Sequence, residues 1–369
     1  MKFSCDQQEL VRALSVVSKA VTTRTTTQVM KGILIEAKEG GTLTMSASDL
    51  DISIQNTMQA DVQEEGSVIA MAKLFVDIIR KLPHSEITIE SDDDFNITIR
   101  SANSEFQVVG MSPDEFPERI KEQEGDKYIE FNRREFSSMI EKTAFAASIE
   151  EARGIITGVL LEIEPDGMNM VAIDGYRMAI NKSAMVTGAS GNVVIAAKML
   201  GEIGKILADV GEDETGRLYL NEKKAVFLFD QTQAELKLME GEFIRYKDIL
   251  PREKKIRLVI DRVQLLNSIE RASLLSRSGK NNLIRMNLTD NLVTISSTSE
   301  EGNVREDILV EKEGEDLVIG FNAQYMMDVL KKIDDEKILM YFNTQITPCV
   351  IEPLEGNQYE FIVLPVRIN

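Results

Sequence analysis

The sequence predicts an α+β fold of three repeated domains, each with two helices packed on antiparallel sheets. Three observations carry this expectation. A strand-then-helix stretch recurs with a period near 125 residues, a second such stretch alternates with it, and runs of alternating polar and apolar residues follow each helix.

The first unit is "FSCDQQELVRALSVVSKAV" (3–21), which returns as "IEFNRREFSSMIEKTAFAA" (129–147) and "LVIDRVQLLNSIERASLLS" (258–276). Each opens as a short strand and continues with apolar residues at i, i+3/i+4 and i+7, the stripe of an amphipathic helix. The alternating unit is "SVIAMAKLFVDIIRKL" (67–82), "NVVIAAKMLGEIGKIL" (192–207) and "DLVIGFNAQYMMDVLKKI" (316–333). The expected helices are 7–21, 72–82, 133–147, 197–207, 262–276 and 323–333. Stretches such as "EITIESDDDFNITIRS" (86–101) and "GRLYLNEKKAVFLFDQ" (216–231) alternate with period two and read as antiparallel hairpins. "SDDDFN" (91–96) and "GEDETG" (211–216) lack the spaced ligands and terminal Glu of a calcium loop, so both read as acidic hairpin turns. Pro and dense charge in 112–128 and 246–257 mark linkers and set domains at 1–120, 128–249 and 254–369.

Composition excludes several classes. A chain of 369 residues, 43% hydrophobic with 8 Pro, supports real cores and is neither disordered nor collagen-like. No apolar run approaches the ~18 residues that span a bilayer, and "MKFSCDQQEL" lacks a signal-peptide core, so a cytoplasmic protein without membrane contact is expected. Cys5 and Cys349 stand at opposite ends with no ligand spacing, and read as reduced thiols. His84, the only histidine, reads as an exposed loop residue. No nucleophile elbow, phosphate loop or dinucleotide fingerprint accompanies it, so neither metal nor cofactor is expected.

The net charge of −19 is unevenly spread. The six expected helices together carry +7, leaving −26 on the rest. Arg12/Lys19, Lys73/Arg80 and Lys198/Lys205 are i,i+7 pairs, within ~20° of each other on a helix. Each lies away from apolar positions such as Leu10, Phe75 or Leu200. One weakly basic helix is ordinary; six in an acidic chain point to a sequence-independent phosphate surface. Trp is absent and no aromatic residues interleave the basic ones, which favours double-stranded over single-stranded DNA.

One constellation stands apart. "MVAIDGYRMAI" (170–180) sets an acid, a glycine, a tyrosine and an arginine between two strand-like runs, and "MSASDLDISI" (45–54) matches it with Asp49 against Asp174. It reads as a capped turn flanked by core, as an apolar anchor site with Arg177 as a rim donor, or as an active site using Asp174, Tyr176 and Arg177.

In register along essentially the whole length, the chain resembles the bacterial sliding clamp, the beta subunit of DNA polymerase III. The residues that carry the resemblance are "ASDLDISI" (47–54), "FP" (116–117), "DGYRMA" (174–179), the "FNAQY" and "DVL" of 321–330, and "LPVR" (364–367). The resemblance implies three clamp domains per chain and a ring-shaped head-to-tail homodimer, with basic helices lining a hole and acidic sheets outside. It implies a processivity factor with no chemistry of its own. Its partners would be duplex DNA, the DNA polymerase III alpha subunit, the clamp loader and other clamp-binding-motif proteins.

By position, the resemblance assigns a partner-peptide pocket to Ile156, Ile173, Gly175, Tyr176, Arg177, Met178, Ile244, Ile249, Val363, Leu364, Pro365, Val366 and Arg367. Ile244 replaces a common proline there, and Ile173 a common threonine. DNA contacts fall to Arg24, Lys73 and Arg153, joined by Arg80, Lys198 and Lys205 from the helix faces; Glu150 stands where a neutral donor is often seen. The dimer seam falls to Phe106, Leu274 and Leu275, flanked by Glu300 and Glu301, with Leu74 in place of a pairing lysine and Arg305 among expected acids. Two other readings stay open: an enzyme built on the Asp174 turn, and a protein scaffold whose basic faces are incidental.

Overall fold

The computed structural model describes residues 1–23, 25–117, 120, 127–208, 214–276 and 282–368. The first repeat runs β1 (Lys2–Asp6), α1 (Gln7–Val17), β2 (Gly32–Lys38), β3 (Thr42–Ser48), β4 (Ile52–Gln59), β5 (Asp61–Glu64), β6 (Gly66–Met71), α2 (Ala72–Lys81), β7 (Glu86–Ser91), β8 (Asn96–Ser101) and β9 (Ser104–Val109). The second runs β10 (Ile129–Asn132), α3 (Arg133–Ala144), β11 (Gly158–Glu164), β12 (Gly167–Ile173), β13 (Arg177–Ser183), β14 (Gly191–Ala196), α4 (Ala197–Leu207), β15 (Thr215–Leu220), β16 (Lys224–Phe229) and β17 (Thr232–Lys237). The third runs β18 (Ile256–Asp261), α5 (Arg262–Ser276), β19 (Leu283–Thr289), β20 (Leu292–Ser299), β21 (Gly302–Leu309), β22 (Glu311–Glu313), β23 (Leu317–Asn322), α6 (Ala323–Leu330), β24 (Lys337–Phe342), β25 (Cys349–Pro353) and β26 (Tyr359–Val363).

Short polar side chains switch strand to helix. Asp6 accepts the backbone N–H groups of Gln8 and Glu9 at 2.8 and 3.0 Å, Asp261 accepts that of Gln264 at 2.7 Å, and Asn322 that of Gln324 at 2.8 Å. The apolar stripes then turn inward: Leu10, Leu14 and Val17 on α1, and Phe75, Val76 and Ile79 on α2, are buried, each large side chain contributing about 2 kcal/mol.

Three helices end sooner than the apolar pattern suggests. α1 stops at Val17, because the Ser18 hydroxyl bonds the Leu14 carbonyl and the chain tightens into a 3₁₀ turn over Ser18–Ala20. After α3 and α6 the backbone likewise switches to i→i−3 bonds: Ala146 to Thr143, Ala147 to Ala144, and Lys332 to Val329. "SDDDFN" is a hairpin turn, with Asp92 accepting from the Asp94 and Asn96 amides. "GEDETG" is not. It follows helix α4 and leads into β15, because the apolar run before it is helical, and 211–213 lie outside the described residues.

The chain forms two compact units. One, Met1–Arg134 with Lys205–Leu238, holds a five-stranded sheet ordered β5-β1-β7-β8-β9 and an eight-stranded sheet ordered β10-β15-β16-β17-β4-β3-β2-β6. The other, Glu135–Gly204 with Met239–Asn369, holds a nine-stranded sheet ordered β14-β11-β12-β13-β26-β25-β24-β18-β22 and a four-stranded sheet ordered β21-β20-β19-β23. In each large sheet, strands of successive repeats pair antiparallel. β17 joins β4 from Thr232↔Asn56 to Leu236↔Ile52, and β26 joins β13 from Tyr359↔Asn181 to Val363↔Arg177. The corresponding strands β9 and β21 each close the edge of their sheet unpaired.

Candidate partner-binding patch and basic helix faces

The Asp174 turn is built by one carboxylate. Its Oδ1 accepts the amides of Tyr176 and Arg177 at 2.8 and 2.9 Å, and Gly175 between them takes φ 90°. Asp49 repeats the device, accepting from Asp51 and Ile52 at 3.1 and 2.8 Å, with Leu50 forced to φ 76°. The second Asp174 oxygen takes the Arg177 Nε at 3.1 Å. Both oxygens are thus engaged in holding the loop, which leaves this acid poorly placed for proton transfer.

Arg177 corrects one expectation. It is no rim donor: its side chain is only 12% exposed. Its guanidinium pairs with Asp328, donates to the Phe145 carbonyl at 3.2 Å, and lies between the rings of Phe145 (5.4 Å) and Tyr325 (4.9 Å). The residue is a lock that ties the turn to α3 and α6. Tyr176 is half exposed and stacks on Tyr325 with centroids 5.5 Å apart. Burial, with the Asp174 charge behind it, pushes the Tyr325 phenol above its usual range, so it stays neutral in the stack. Arg153, expected on the DNA side, donates to the Asp174 carbonyl at 2.7 Å and lies 5.9 Å from the Tyr176 ring.

Beneath the turn lies an apolar floor of Leu160, Val171, Ile173, Met178, Phe243, Tyr246, Val350 and Ile362, with Ile155, Ile156 and Leu250 against it. Ile173, Met178 and Val363 are therefore support, while Tyr176, Ile244, Ile249 and Leu364 are exposed apolar contacts carried by adjoining segments. Ile156, Pro365 and Val366 are half-buried, and Gly175 and Arg367 are exposed. The C-terminal segment is fixed twice: the Leu364 amide donates to the Tyr176 carbonyl at 2.9 Å, and the Val366 amide to the Gly320 carbonyl at 2.8 Å. Tyr246 bonds Glu162 at 2.7 Å through its hydroxyl. Burial alone would raise the Glu162 carboxyl, but bonds from Lys247, Asn169 and Tyr246 outweigh it and hold the group below its usual range.

The first repeat shows why the patch exists once. Val171, Ile173, Met178 and Ile180 of β12 and β13 correspond to Ser46, Ser48, Ser53 and Gln55 of β3 and β4. There, Ser48 and Ser53 share a hydroxyl bond at 2.7 Å, and no comparable apolar floor can form.

On the helices, Lys73 and Arg80 are exposed opposite buried Phe75 and Ile79, and Lys198 and Lys205 opposite buried Leu200 and Ile203. Arg12 and Lys19 are exposed too, but Lys19 sits in the 3₁₀ turn, so they do not share one α-helical face. Arg24 lies outside the described residues. In the third repeat the positive charge is compensated: Arg271 pairs with Glu306 at 2.6 Å, Lys331 with Glu270 at 2.8 Å and Lys332 with Glu141 at 2.8 Å. Among the seam residues, Phe106 on β9 is 41% exposed and Leu274 on α5 is 65% exposed. Leu275 is half-buried, and Glu300 and Glu301 form the exposed β20–β21 turn.

Among the described residues no group of three or more His, Cys, Asp or Glu is arranged to hold a metal ion, and no helix is long and apolar enough to cross a membrane. Sequence reasoning did not single out Phe145, Tyr325, Asp328, Phe243 or Tyr246. Tyr325 and Asp328 lay within the quoted "FNAQY" and "DVL", whereas the others carry no local signal.

Comparison with known proteins completes the site. The DNA polymerase III beta subunit models match in order, the N-terminal domain over residues 1–120, the central domain over 130–244 and the C-terminal domain over 247–367. A beta sliding clamp of Halalkalibacterium halodurans is 35% identical, with both chains covered in full. One from Staphylococcus aureus is 32% identical over 100% of this chain and 99% of its own. The DNA polymerase sliding clamp of Bacillus subtilis superposes with TM-score 0.94 at 31% identity over both whole chains. A DNA polymerase III beta subunit from Eubacterium rectale gives 0.94 at 32%, again over both whole chains. The chain belongs to the DNA polymerase III beta subunit family, the beta sliding clamps, and is a non-catalytic processivity clamp of DNA replication built from three clamp domains.

Proposed function

We propose that two copies join head to tail into a ring around duplex DNA, and that the Tyr176 patch tethers replication partners to it. The carrying observation is the strand pairing between repeats. β4 takes β17 and β13 takes β26, which leaves β9 and β21 as the matching unpaired edges. A second copy supplies the missing partner at each end, and the same rule then closes the ring.

The internal seams also give a register. The first residue of β17 or β26 faces the fifth residue of β4 or β13. Carried to the free edges, Ser104 faces Glu306 of the second copy, Glu105 faces Arg305, and Phe106 faces Val304. Phe106 and Val304 then occupy the places of Ala234 and Ile54, and of Phe361 and Ala179, all fully buried at the internal seams. The Glu105–Arg305 pair opposes unlike charges across strands and is worth a few tenths of a kcal/mol.

The domains are taken as 1–120, 128–249 and 254–369. Duplex DNA passes the basic faces of Lys73, Arg80, Lys198 and Lys205, with Arg24 added from its loop. A ring holds by topology, so weak phosphate contacts suffice and permit sliding. The patch takes short apolar-tipped peptides from the DNA polymerase III alpha subunit, the clamp loader and other clamp-binding proteins, with Tyr176, Ile244, Ile249 and Leu364 as anchors. The work is done in the cytoplasm. Sedimentation equilibrium tests the assembly: a dimer is expected at micromolar concentration, dissociated by Phe106→Ala. A strict monomer there would sink the ring.

A further inference from the structure

The seam inside the chain and the seam between copies are built from equivalent elements but different side chains. α2 and α6 both begin on an alanine directly after a strand, Ala72 and Ala323, so Leu74 stands where Tyr325 does. α3 and α5 align through Phe136 with Leu265 and Ile140 with Ile269, all buried, which puts Leu274 at the place of Phe145. β9 and β26 align from their first residues, so Phe106 matches Phe361. The turns before β13 and β21 align at the same spacing as Asp49 and Asp174, so Gly302 matches Arg177.

Within the chain these positions form the lock already described. Phe361 lies 6.0 Å from Phe145, and the Arg177 guanidinium fills the space between Phe145 and Tyr325 and pairs with Asp328. At the free edges the guanidinium is gone, because Gly302 has no side chain. The two aromatic rings become leucines that are 55% and 65% exposed in the single chain.

We propose that the seam between copies is closed on its helix side by an apolar contact, with Leu74 and Phe106 of one copy against Leu274 of the next, in place of the arginine-centred lock. This rests on the head-to-tail dimer proposed above. Exposed leucines at these places are otherwise costly to leave in water, and the second copy is the surface whose shape the internal seam already supplies. A contact of this kind lacks the charge network of the internal seam. It therefore holds at high salt and can part without separating buried ions.

The test is the dimer dissociation constant of purified full-length protein, measured by sedimentation at varied salt. Leu74 is exposed, so Leu74→Lys should leave the thermal midpoint unchanged while weakening the dimer roughly tenfold or more. Leu74→Ala and Leu274→Ala should each weaken it, and the double variant should weaken it by less than the product of the two, as touching residues do. Raising salt from about 0.05 to 0.5 M should change the wild-type constant by less than about threefold. If Phe106→Ala dissociates the dimer but Leu74→Lys does not, or if salt alone dissociates it, the apolar contact is wrong and the dimer stands. If no variant matters, or no dimer forms, the dimer reading itself fails.

Discussion

Two neighbouring residues of the Asp174 turn do opposite work. Tyr176 presents half its surface, whereas Arg177 is nearly sealed against Asp174, Asp328 and the Phe145 carbonyl. Tyr176→Ala should therefore cut affinity for an apolar-tipped partner peptide about tenfold, read by fluorescence polarisation, with little change in thermal stability. Arg177→Ala strands two partly buried carboxylates and should cost about 3 kcal/mol in denaturant unfolding. Equal stability losses for the two variants would contradict this division. A second prediction concerns the thiols. Burial, then the charges of Asp6, Glu9 and Glu86, push Cys5 up to about 12, and burial raises Cys349 further. Only the thiolate reacts, so a thiol reagent at pH 8 should label neither cysteine in the native protein and both after unfolding. The raised values also mean that stability is complete below about pH 8.5, where an unfolded thiol begins to ionise, and is lost as pH climbs toward the folded value.

At the scale of elements, the C-terminal strap depends on a residue outside the sequence-derived set. A Cβ on Gly320 would come within 2.8 Å of the Val366 carbonyl oxygen and 2.9 Å of the Ile368 side chain. Gly320→Ala should thus push the strap off the β23 edge and weaken peptide binding several-fold, with dimerisation unchanged. Unaltered peptide affinity would show that the strap is not fixed there. Much of this layer was legible beforehand. The apolar stripes placed all six helices, since core-facing residues recur at helical spacing regardless of context, and only the ends were misjudged, where Ser18 and the i→i−3 bonds tighten the chain. The strand turn at Asp174 was legible as well, because Asp-Gly needs little beyond its own atoms. The Arg177 lock was not: its partners lie 32 and 151 residues away in sequence, and an arginine on a turn reads as solvated until the fold brings Phe145 and Asp328 to it.

At the scale of the whole molecule, a single pairing rule generates the architecture. One repeat's closing strand adds to its neighbour's sheet twice within the chain, and the two leftover edges ask for a second copy. The same repetition, with Ser46, Ser48, Ser53 and Gln55 in one copy of the turn and Val171, Ile173, Met178 and Ile180 in the next, confines the apolar patch to a single place per chain. The net charge of −19 follows the same logic, since acid outside the helix faces keeps DNA from other surfaces. Topological retention tests the ring most directly. The protein is loaded by a clamp loader with ATP onto nicked circular duplex, isolated by gel filtration, and the DNA is then linearised. Retention on the circle with release on linearisation is the predicted result; equal retention on both forms would mean direct gripping and would contradict the ring.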